Sequence, residues 1–218
     1  MDFNIIRDKL VIRMMNQERK KDFLVGVAHR RILDLAAVYY LMADPSDQNS
    51  HIMPVTWEMM ESWQVAEDEL FAVAMENMNE NMRIRMKNII TTMIEMIESS
   101  GGLEEMSDIV RDMLEVQSAE SKREQMFVIT DRSRMNGSVA LLMSDRLRDY
   151  SEILERDLVI IPSSVHELIC IRDSKNFDYD SLRKVVEDVN SSMIKPEEVL
   201  SDNIYRYSYM RDEFEIIK

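Results

Sequence analysis

The chain has 218 residues, 45% of them hydrophobic and 31% charged, with four glycines and four prolines. That is enough apolar sequence to bury a core, and it excludes disordered, collagen-like and linker-rich classes. The formal net charge of −14 argues against a broad grip on a phosphate backbone, which needs clustered lysine and arginine. It suits either plain solubility or an acidic face that meets a basic partner. Cys170 is the single cysteine, so no intrachain disulfide forms, and its apolar strand context makes it a small hydrophobe. The first ten residues lack the basic-then-apolar layout of a signal peptide. No apolar run approaches the ~18 residues of a membrane span, so a cytoplasmic address is expected. The twenty methionines suit an irregular core or an adaptable binding surface.

In chain order, Lys9 to Met15 is β-rich and predicts a strand. Asn16 to Lys21 reads as a turn or short helix. Val27 to Met42 ends in the unbroken apolar run LAAVYYLM, whose Val-Tyr-Tyr content favours strand. ADPSDQNS is a loop, and Ile52 to Val55 a short strand. Thr56 offers an N-cap for a helix from Trp57 to about Trp63. A second helix starts near Glu67, with Leu70, Ala74 and Met78 inward. Met86, Ile90, Met93 and Ile97 recur at helical spacing, and Gly101-Gly102 stops that helix. Another helix carries Leu103, Met106, Val110, Met113 and Leu114.

The polar run at 117–125 is the linker candidate, and it separates an N-terminal strand-plus-helices region (1–116) from a C-terminal α+β region (126–218). One continuous domain is the other reading. Beyond it, Met126 to Thr130 and Ser138 to Met143 predict a hairpin around Asn136-Gly137. Ser144 caps a helix bearing Leu147, Tyr150 and Leu154. Asp157 to Ile161 and Glu167 to Arg172 are strands. A helix from Asp180 or Ser181 turns Leu182, Val185, Val186 and Val189 inward. A turn follows at Pro196, and Ile204 to Tyr209 is a last strand. The expected class is α+β: a mixed, mainly antiparallel sheet in the C-terminal half with helices on one face, and a helix-rich middle.

VAHRRILDLAAVYYLM, WQVAEDELFAVAMENM, MFVIT…NGSVALLM, DLVIIPSSVHELICI and DVNSSMIKPEEVLSDNIYRYSY resemble, in this order, a bacterial family of unknown function, domain of unknown function family 5688. The resemblance covers most of the chain, and its IIPSSVHE and PEEVLSDNIYRY blocks are specific. It implies a Firmicutes source and a mobile-element setting, and it carries no activity, cofactor or catalytic residue. Ala28 stands where the family pattern has proline, Ala66 where it has threonine, and Thr130-Asp131-Arg132 where asparagine is usual.

Three constellations could carry chemistry. Ser163 or Ser164 with His166 and Glu167 or Asp202 supplies the residue types of a hydrolase. However, no G-x-S-x-G elbow or glycine-rich oxyanion loop accompanies them. The plain reading is a Pro-Ser-Ser turn with bonded hydroxyls. His29, Arg30 and Arg31 could clamp an anion, or pair internally with Asp34 or another acid. Asp202-Asn203 leads into Tyr205, Tyr207 and Tyr209, a face suited to sheet packing or to a partner. Asn136 marks the hairpin turn. No metal spacing, nucleotide loop or cofactor motif is present. The expected function is a non-enzymatic protein-interaction or regulatory module with an acidic surface, built on the C-terminal sheet with Trp57, Trp63 and the methionine-rich helices as its adaptable part, that captures a protein partner, with no direct nucleic-acid or membrane binding. The alternatives are a hydrolase using Ser164 and His166, and an acidic nucleic-acid mimic acting on a defence nuclease.

Overall fold

The alternating run Leu10–Asn16 forms β1 in the computed structural model, which describes residues 2–44, 50–92, 95, 126–132, 134–162, 164–174 and 177–217. Leu10, Ile12 and Met14 point into the core, as period-2 alternation requires. β1 pairs antiparallel with β3 (Leu35–Met42). On the other edge of β3 lie β2 (His29–Ile32) and β4 (Ile52–Pro54). All eight positions of β3 are buried. Leu35, Ala37, Tyr39 and Leu41 join the main core, while Ala36, Val38 and Tyr40 pack with Leu24 and Val27. Burial on both faces is why this strand reads as one unbroken apolar run.

The helices follow their local signals. α1 (Phe3–Ile6) leads through a 3-10 turn at Arg7–Lys9 into β1, and α2 (Lys21–Leu24) follows that strand. Thr56 Oγ1 accepts the Met59 N–H at 3.2 Å and opens α3 (Trp57–Trp63). α4 (Glu67–Asn81) has no side-chain cap at Ala66. Glu67, Asp68 and Glu69 in its first turn complement the helix dipole instead. Its buried stripe is Leu70, Val73, Ala74 and Met78.

The second sheet has six strands in the order β10-β9-β7-β8-β6-β5. These are β5 (Arg85–Asn88), β6 (Met126–Thr130), β7 (Leu158–Ile161), β8 (Glu167–Arg172), β9 (Tyr205–Ser208) and β10 (Glu213–Ile216). Every adjacent pair is antiparallel. One face, with Ile129, Ile160, Leu168, Cys170, Tyr205 and Tyr207, joins the same core as β1, β3 and α4. α5 (Ser144–Leu154) adds Leu147 to it. The other face, with Val159, Ile161 and Ile171, is covered by Val186 and Leu182 of α6 (Tyr179–Ser192). The protein is thus α+β, and β5, from the N-terminal region, pairs within the C-terminal sheet. Among the described residues no helix is long and apolar enough to cross a membrane.

Several local expectations are corrected. Ser138 to Met143 is not a strand: Gly137–Leu142 is a buried 3-10 helix, and β6 pairs instead with β5 and β8. The segment is held across the β7–β8 loop, with Gly137 N donating to His166 O at 2.9 Å and Ser138 Oγ to Val165 O at 2.7 Å. Met86 belongs to strand β5 and not to a helix, because the alternation Arg85-Met86-Lys87 aligns with β6. Met93, Ile97, the stop at Gly101-Gly102, the helix of Leu103 to Leu114 and the linker at 117–125 lie outside the described residues. Ser144 begins α5 without capping it. Val185 is 56% exposed, because α6 needs only a narrow stripe to cover the sheet. β10 was not foreseen; it follows a turn in which Asp212 takes φ 54°.

Candidate functional site

Ser164 lies in the β7–β8 loop. Its Oγ accepts the backbone N–H of His166 at 3.1 Å, and its own N–H donates to Glu167 O at 3.2 Å. These are the local turn bonds that short hydroxyl side chains make. Ser163 lies outside the described residues. The His166 ring turns to other partners: Nδ1 donates to Met135 O at 2.9 Å, and Nε2 lies 3.8 Å from Glu198 Oε1. The carbonyl at Met135 fixes the proton on Nδ1. Ring and hydroxyl are therefore each engaged elsewhere, and the serine–imidazole bond that activates a nucleophile is not formed. His166 O accepts both Gly137 N and Thr130 Oγ1 at 2.9 Å. Asn136 Nδ2 donates to Ile12 O at 2.7 Å, satisfying a carbonyl on the open edge of β1. Turn, 3-10 segment and edge strand thus form one fastening.

Asp202 and Asn203 belong to a second cluster, centred on Asp34 in the β2–β3 turn. One Asp34 oxygen accepts Ser201 Oγ at 2.5 Å and Asn203 Nδ2 at 3.0 Å, and the other accepts Tyr205 OH at 2.7 Å. Asp202 pairs with Arg19 at 3.0 Å and accepts Asn190 Nδ2 at 2.8 Å. Burial, then the Asp34 charge, pushes the Tyr205 phenol above its ordinary range. The specific SDNIYRY block is therefore the clasp that ties the C-terminal sheet to the N-terminal hairpin.

Arg30 and His29 make a third group. Arg30 Nε and a terminal nitrogen hold Glu67 as a fork at 3.0 and 2.6 Å, and the guanidinium lies 3.9 Å above the Phe71 ring. Tyr39 OH donates to the same carboxylate. Arg30 thus pairs with Glu67 and Asp68 instead of Asp34, and it moors the start of α4 to β2. His29 Nδ1 donates to Val27 O at 2.9 Å, and its ring meets Trp57 edge-on at 5.6 Å. Among the described residues no three histidine, cysteine, aspartate or glutamate side chains converge as a metal site.

The features left free to meet a partner lie elsewhere. An open groove of about 660 Å³ runs along the outer face of α4, lined by Glu69, Ala72, Met75, Glu76 and Glu80 and faced by Arg7. Asn77 Nδ2 donates to Arg7 O at 2.7 Å and Leu10 O at 2.9 Å, which sets the 3-10 turn as the second wall. The three glutamates carry no ion pair among the described residues. Positions 69, 76 and 80 fall at i, i+7 and i+11, one face of a helix.

Two antiparallel sheets that share one core, with these polar clusters spent on fastening, define an α+β protein with an acidic face along α4. The chain belongs to the family of unknown function (DUF5688), whose model matches residues 1–209. No curated protein and no solved structure matches it at a significant level.

Proposed function

We propose that this chain is a non-enzymatic protein-interaction module of the cytoplasm that captures a basic protein partner along α4. The observation that carries this reading is the groove itself. Three unpaired carboxylates, Glu69, Glu76 and Glu80, flank a floor that includes Ala72 and Met75. A basic amphipathic helix complements it, with apolar residues on the methionine side and cations toward the glutamates. With a 1.5 Å rise per residue, those cations would sit about 10 and about 6 Å apart along the groove. Met75 supplies a side chain that adapts its shape to the partner, and the net charge of −14 speeds and selects the encounter.

The test compares the wild type with Glu69→Lys/Glu76→Lys/Glu80→Lys, each immobilised in extract from the source organism after circular dichroism has shown both folded. All three positions are exposed, so the cost to the fold is confined to the dipole contact of Glu69 in the first turn of α4. One stoichiometric basic protein retained by the wild type, and lost with the variant or at raised salt, is the expected result. Equal retention by both proteins would refute the proposal.

A further inference from the structure

Four of the chain's cations gather in one place. A partly enclosed pocket of about 210 Å³ is lined, among the described residues, by the cations Arg85, Lys87, Arg132 and Arg134 and the acids Glu95 and Asp131. In a chain of net charge −14 this leaves a local excess of two positive charges. The register explains the convergence. Arg85 and Lys87 are two apart on β5 and so share a face, and Arg85 stands opposite Thr130 at the end of β6. Met86 between them turns to the main core. Arg132 and Arg134 follow at once, in the turn whose backbone N–H groups at Met135 and Asn136 are held by Asp131 Oδ1 at 2.9 and 3.1 Å.

The two acids are occupied. Glu95 accepts Lys87 Nζ at 2.5 and 2.6 Å and lies 3.5 Å from Arg134. Bonding to Lys87 holds the Glu95 carboxyl below its usual range. Arg85 and Arg132 have no hydrogen bond or ion pair among the described residues. The threonine hydroxyls of the lining are spent on carbonyls, Thr92 on Asn88 O and Thr130 on His166 O. Cations that outnumber the carboxylates beside them repel one another, and a bound anion relieves that repulsion.

We propose that this pocket binds the phosphoryl group of a small phosphomonoester or free phosphate. Two excess charges match a dianion, and each arginine fork takes two oxygens along one edge of the tetrahedral phosphoryl group. The volume lies below the ~300 Å³ at which sites for drug-sized ligands begin. Among the described residues no aromatic ring lines the pocket, so they offer no platform for a nucleobase. The ligand is read by its phosphoryl group and little else.

Isothermal titration of the full chain at constant ionic strength tests this, with inorganic phosphate and O-phosphoserine as the two probes and chloride as the background anion. The wild type is expected to bind with a Kd on the order of 0.1–1 mM. Arg85→Gln/Arg132→Gln, which removes two exposed and unpartnered side chains, is expected to weaken binding by about tenfold or more. Glu95→Gln removes the carboxylate that competes for Lys87 and is expected to tighten it, whereas a purely structural cluster would gain nothing. Tighter binding of O-phosphoserine assigns the ester, and tighter binding of inorganic phosphate assigns the free ion. No heat from either probe, or equal affinity in the wild type and the double variant, would overturn the proposal.

Discussion

At Gly137 a Cβ would lie 2.4 Å from His166 O and 2.6 Å from Thr130 Cα, both backbone atoms that cannot swing away. The backbone N–H there also donates to His166 O. Gly137→Ala is therefore expected to cost about 1–3 kcal/mol of stability through overpacking. Chemical denaturation measures it, and an unchanged midpoint would show that the 3-10 segment shifts at no cost. The asparagine-glycine pair was legible in the sequence as a special backbone site, but its reason was not. The glycine is needed for close approach to a strand start 29 positions later, which no local pattern encodes. The same holds for Ser164 and His166. Their adjacency showed a dense polar turn, but the ring's partners, Met135 O and Glu198, come from distant segments.

Among the elements, the hairpin turn at Asp34 has three side-chain partners to lose. Asp34→Ala strands Ser201 Oγ, Asn203 Nδ2 and the buried Tyr205 hydroxyl. A loss of about 3 kcal/mol follows from leaving such groups without their charged acceptor. Hydrogen exchange should show the loosening first in β2 and in the segment before β9, and uniform protection across both would contradict the clasp. Strand β3 and helix α4 were readable in advance because burial on two faces and on one stripe leave opposite sequence signatures. β5 was misread because Met86 and Ile90 also fit a helical period, and the rival alternation Arg85-Met86-Lys87 is only a few residues long. The cationic pocket was hidden for the same reason: its four cations become neighbours only when β5 is laid in register with β6. A helical wheel puts the groove acids on one face, but only the fold shows that they stay unpaired.

For the molecule as a whole, buried acids of the neutral kind set the alkaline limit. Burial pushes the Cys170 thiol up to about 12, and burial followed by the Asp212 carboxylate pushes the Tyr207 phenol up to about 12. Tyr39 and Tyr205 move the same way, with desolvation the largest cause. Each binds its proton more tightly folded than unfolded, so the unfolded chain releases protons first as pH rises. Their contribution is complete below about pH 9 and drains away above it, with Cys170 and Tyr207 ionising in the folded chain near pH 12. Urea midpoints should be flat from neutrality to about pH 9 and fall steeply above it; a midpoint that rises over that range would contradict the burial of these groups. The acidic character of the chain was plain from composition, whereas the place where it stays unpaired was not, because pairing depends on which carboxylates the fold spends on fastening.

The most direct test of the interaction reading is site-specific photocrosslinking in the cells that make the protein, with a photoreactive residue at Glu76 in the α4 groove or at Glu198 beside His166. A single heavier adduct from position 76, containing a basic protein, and none from position 198 is the predicted result. Adducts from position 198 with none from position 76 would place the working surface at the His166 turn and contradict the α4 reading.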